Sequence, residues 1–135
     1  MSEQFTITIP DNRAKYMRSL AQLTGKPVED ILAEALIHPI PPVAPLNKQI
    51  EQVQQYSDVQ LWAIIEEPFT AELDARMQTL NEISKRGQLT LEEQSELNSL
   101  AEQYAQYELL RAKTLVELKN RQFDVQAYLT RNAPR

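Results

Sequence analysis

No cysteine occurs in the 135 residues. That excludes disulfides, thiolate metal ligands and a cysteine nucleophile. Histidine occurs once, as His38, so a Ser-His-Asp set has little to be built from. No Glu-x-x-His spacing of the kind that holds metals in helical bundles is present. His38 stands at the mouth of a Pro-rich stretch and reads as an exposed residue. Glycine is almost as scarce, with 2, which disfavours phosphate-cradling loops and turn-rich all-β folds. No apolar run approaches the roughly 18 residues of a membrane-crossing helix. The opening MSEQFTITIP has neither the basic nor the apolar region of a secretion signal. The expectation is a cytoplasmic, non-enzymatic protein with no cofactor, no metal and no membrane partner.

What is present is mostly helical pattern. The hydrophobic content of 42% is enough for a packed core. Net charge is −5, which disfavours nonspecific nucleic-acid binding by the chain as a whole. The charge is uneven, however. Residues 1 to 26 carry Arg13, Lys15, Arg18 and Lys26 against Glu3 and Asp11, a basic head on an acidic body.

Along the chain, FTITIP (Phe5 to Ile9, closed by Pro10) alternates apolar and polar side chains at the period of a half-buried strand. DNRAKYMRSLAQLTG follows, with Asp11 as cap and Ala14, Met17, Leu20 and Leu23 at helical spacing. Gly25 suits the left-handed position after it. KPVEDILAEALI has Pro27 in its first turn and an apolar stripe of Val28, Ile31, Leu32, Ala35 and Leu36. HPIPPVAPLN holds Pro39, Pro41, Pro42 and Pro45, so residues 38–47 read as a semi-rigid linker between two domains. Leu46, Ile50 and Val53 mark a further helix. Ser57 and Gln60 have capping-box spacing ahead of Leu61 to Ile65, a segment apolar nearly all round. Trp62 belongs to a core there. After Pro68, helices over about 70–86 and 91–120 are joined by RGQL, with Thr90 and Glu93 as a second capping box. That gives an antiparallel helical hairpin over 70–120 inside a helical domain of 48–125. Residues 126–135 read as a flexible tail. Glu108 and Arg111 read as an ion pair at the hairpin edge. Leu109, Leu110 and Arg111 are the candidate partner interface.

A strand followed by two helices needs a second strand, and a second copy can supply one. Residues 3 to 37 thus resemble a ribbon-helix-helix domain of the MetJ/Arc/CopG type. The resemblance rests on FTITIP, DNRAKYMRSLAQLTG, Gly25 and KPVEDILAEALI. It implies a mainly α fold with one intermolecular strand per chain in a 1–37 domain, and a homodimer with Phe5, Ile7 and Ile9 in its core. It also implies that Gln4, Thr6 and Thr8 read bases in the major groove of DNA. Arg13, Lys15, Arg18 and Lys26 would hold phosphates. Relatives of this kind with a C-terminal extension are often antitoxins, so a toxin is an implied protein partner. SDVQLWAIIEEPF and RGQLTLEEQSELNSLAEQYAQYELLRAKTLVELKNR resemble a helical region of small cyanobacterial proteins, which brings no activity with it. Two functions therefore stand. One is a dimeric DNA-binding transcriptional regulator. The other is a non-enzymatic adaptor whose N-terminal unit only dimerises and whose acidic hairpin docks a protein. The outward strand face lacks Arg and Lys, and Glu29 and Asp30 open the second helix, which weakens DNA binding without weakening the fold; the regulator remains the first expectation and the adaptor its alternative.

Overall fold

The computed structural model describes residues 2–132, and among them every regular element is helical. The helices are α1 (Asp11–Thr24), α2 (Val28–Ala35), α3 (Leu46–Gln52), α4 (Asp58–Glu66), α5 (Ala71–Lys85), α6 (Leu91–Asn120) and α7 (Val125–Arg131). One 3-10 turn, Val53–Gln55, follows α3. The fold is mainly α.

α4 is the centre. Val59, Leu61, Trp62, Ala63, Ile64 and Ile65 are all buried, so it hides every side. Its start is the expected capping box: Ser57 Oγ accepts from the Gln60 amide at 3.1 Å, and Gln60 Oε1 accepts from the Ser57 amide at 3.1 Å. α6 has the same device, with Thr90 and Glu93 exchanging bonds of 3.1 Å. At 30 residues α6 is about 45 Å long. α5 returns along its first half, tied by a bidentate Arg76–Glu96 pair at 2.7 and 2.9 Å. The second half packs on α3, α4 and α7.

The ribbon-helix-helix expectation is overturned. There is no strand among the described residues, and residues 2–9 make no backbone hydrogen bond to the rest of the chain. The alternating side chains meet one requirement of a strand, but a ladder partner is the other. The expected dimer core is not assembled: Phe5 is 82% and Ile7 67% exposed, and Ile9 is only half-buried. The helices explain why. The apolar faces of α1 and α2 that a ribbon would cover are already covered within the chain. Leu20, Ala21 and Ile31 share one buried cluster with Val59, Leu61 and Trp62 of α4.

Three smaller expectations change too. Asp11 is the first residue of α1 and makes no cap bond; Pro10 holds the capping position. The Pro-rich segment does not separate one core from another. Gln49 Nε2 donates to the Pro42 carbonyl at 3.3 Å and the Ala44 carbonyl at 2.6 Å. Gln60 Nε2 donates to the Pro39 carbonyl at 3.3 Å. Two glutamines thus fasten residues 39–44 to the helical body. Residues expected as a flexible tail form α7, capped by Asp124, with Val125 and Tyr128 buried. Residues 133–135 of that tail lie outside the described residues.

Candidate functional site

The C-terminal end of α4 receives side-chain hydrogen bonds from three other helices, α1, α6 and α7. Pro68 stops the helix and leaves carbonyls without amide partners. α6 supplies them: Arg111 Nη1 donates to the Ile65 carbonyl and Tyr107 Oη to the Glu67 carbonyl, both at 2.8 Å. A cation is well placed there, because the helix C-terminus carries partial negative charge. The expected Glu108–Arg111 ion pair is not formed; Arg111 turns inward instead. Glu66 is held from two other helices. Its Oε1 accepts from Ser19 Oγ of α1 at 2.9 Å, and its Oε2 from Tyr128 Oη of α7 at 3.3 Å.

Two clefts flank this end. The first, about 370 Å³, lies between α1, α4 and α7 and is lined by Ser19, Leu23, Trp62, Glu66, Phe123, Tyr128, Arg131 and Asn132. It is mixed in character. Burial and then the Glu66 charge hold the Tyr128 phenol above its ordinary range. Tyr16 nearby is raised by burial first, then by Glu67 and Glu66, and its hydroxyl has no partner. The indole N–H of Trp62 is likewise buried without one. Glu66 accepts from two hydroxyls, and Asp124 Oδ1 accepts from the amide of Ala127.

The second cleft, about 220 Å³, is lined by Pro41, Pro42 and Leu46, by Ile64, by Pro68, Phe69 and Leu73, and by Tyr107 and Leu110. Gln49, Glu67, Thr70 and Gln103 also line it, but most of its exposed surface is apolar. Phe69 meets Tyr104 edge-on at 5.3 Å and Tyr107 at 5.6 Å, which sets an aromatic rim. Burial is the first reason the Tyr107 phenol is raised. Among the described residues no cluster of His, Cys, Asp and Glu is placed to hold a metal ion. No helix among them is long and apolar enough to cross a membrane.

The residues singled out from sequence scatter around these clefts. Gln4, Thr6 and Thr8 are exposed on the unpaired N-terminal arm, with no scaffold to present them to a groove. Arg13, Lys15 and Arg18 are exposed on α1. Lys26 lies 4.0 Å from Glu34. The proposed interface divides. Leu109 is 48% exposed, but Leu110 is 2% exposed and lines the apolar cleft, and Arg111 caps α4. Adjacent helical residues point about 100° apart, so the three cannot share one surface. His38 is exposed, as expected. Phe69, Tyr107 and the prolines of the apolar cleft were not singled out, since no local spacing joins residues 41, 69 and 107.

No family model, no curated protein and no solved structure matches this chain.

Proposed function

We propose that this chain is a non-enzymatic docking module that binds a protein partner through the apolar cleft between α3, α4, α5 and α6. The observation that carries it is the cleft itself, open and walled by Pro41, Pro42, Leu46, Phe69, Leu73 and Leu110. Pro and aromatic walls are stiff, so little side-chain freedom is lost when an apolar side chain enters. The partner supplies one or two such side chains from an exposed segment. A photoreactive phenylalanine analogue at Phe69 should capture a partner in the native cell. Leu73→Asp should cut that yield by about tenfold, the scale of removing one anchor contact. The same probe at Leu91, which is 91% exposed at the far end of α6, should capture nothing in common. Equal capture at both positions sinks this reading.

A DNA-binding regulator is a second reading with one observation behind it. Arg13, Lys15 and Arg18 are exposed on α1 and hold no ion pair among the described residues. It requires duplex binding whose affinity falls steeply with salt, with a log–log slope of about −0.9 per phosphate neutralised. Failure to bind genomic fragments at low salt removes it. The toxin partner was implied by the ribbon-helix-helix resemblance alone and loses its support with it.

A further inference from the structure

α6 is apolar on two opposite sides: one is buried in the core, and the other is exposed, with Ala112 and Val116 bordering an open cleft beside Ile50, Val53 and Gln54. Its core side carries Leu100, Leu110, Thr114 and Leu118, all buried. Ala105, Leu109, Ala112 and Val116 lie on the other side, and all four are exposed. At 100° per residue the two sets face about 180° apart. The outer four are spaced four, three and four residues apart. That is the 3.5-residue repeat of a helix seam that packs on another helix.

The ends of the seam say which helix. Glu102 precedes it by three residues and Lys119 follows it by three, both exposed on the same side. Neither has an ion-pair partner among the described residues. Consider a second α6 laid antiparallel, with the two-fold axis between Leu110 and Arg111. Leu109 then meets Ala112 of the other copy, and Ala105 meets Val116. Large faces small in every apolar layer, so the two backbones can approach closely. The same register sets Glu102 against Lys119 at both ends. A parallel pair would instead set Glu102 against Glu102 and Lys119 against Lys119, which repel. A single two-fold register therefore satisfies four apolar and two charged positions at once.

We propose that this outer face of α6 is a self-association surface, on which a second copy of the chain docks antiparallel through Ala105, Leu109, Ala112 and Val116. The surface is distinct from the apolar cleft, so either proposal can fail without the other. The full chain should show concentration-dependent dimerisation by light scattering. Leu109→Glu should abolish it while leaving helical circular dichroism unchanged, since Leu109 is half-exposed and outside the core. Glu102→Lys should weaken the dimer about tenfold, and adding Lys119→Glu should restore it. Because the chain has no native cysteine, orientation can be read directly. A mixture of the Ala105→Cys and Val116→Cys chains should form a mixed disulfide under mild oxidation. Ala105→Cys alone should not, because its two copies would lie about 17 Å apart. A chain that stays monomeric at every concentration reached overturns the proposal. So does a dimer that survives Leu109→Glu, or one in which Ala105→Cys alone cross-links.

Discussion

Trp62→Ala is expected to destabilise the protein by about 3–5 kcal/mol, the scale of emptying a large core site. The indole is 2% exposed at the middle of α4. It meets Phe123 edge-on at 5.7 Å and Tyr128 at 5.1 Å, so it joins α4 to the C-terminal end of the chain. Truncation removes both ring contacts and leaves a void between helices that are anchored elsewhere. A domain of this size has about 5–15 kcal/mol to lose in all. The melting temperature should therefore fall by about 10 °C or more. Trp62→Phe separates packing from hydrogen bonding. The indole N–H has no partner, so phenylalanine forfeits only volume and should cost about 1–2 kcal/mol. Urea titrations of the three chains test this. An alanine variant with the parent midpoint would place the indole outside the core.

The second large effect concerns α7. Ending the chain after Phe123 removes Val125 and Tyr128, which are 9% and 5% exposed. Burying each is worth about 1.5–3 kcal/mol, so the shortened chain should lose about 3–6 kcal/mol. It also strips one wall from Trp62 and one hydroxyl from Glu66. As Trp62 is the single tryptophan, its emission should shift to the red on truncation. A genuinely flexible tail could be removed with no change in emission or midpoint, and that result would refute the packing described here.

The elements legible in the sequence were those whose causes are local. Ser57 with Gln60 and Thr90 with Glu93 announced two helix starts, because a capping box needs only residues three apart. The α5–α6 hairpin was readable for the same reason, since a short connection forces neighbouring helices together. What failed depended on distant partners. FTITIP has the pattern of a strand, yet nothing in its own residues supplies a second ladder. The prolines of 39–45 fix their own backbone angles but do not reveal that Gln49 and Gln60 hold their carbonyls. α7 was missed because seven residues with a single buried pair give too short a period to read. The apolar cleft joins three segments that meet only once α4 is buried, so its outline was not legible at all. Leu110 was the near miss. Its distance from Leu100, Thr114 and Leu118 marks it as core-facing once the buried face of α6 is known.

The two halves of α6 are held unequally. Beyond the Phe69 junction its first half has α5 as its neighbour, while the second half meets α3, α4 and α7. Leu80 and Leu100 are buried between α5 and α6, yet both stand outside the cluster around Trp62. The hairpin tip is therefore a cooperative unit of its own, with a small opening free energy. It can fray and reclose while the Trp62 core stays shut, so among the helices its amide protons exchange early, after those of the unpaired arm of residues 2–9.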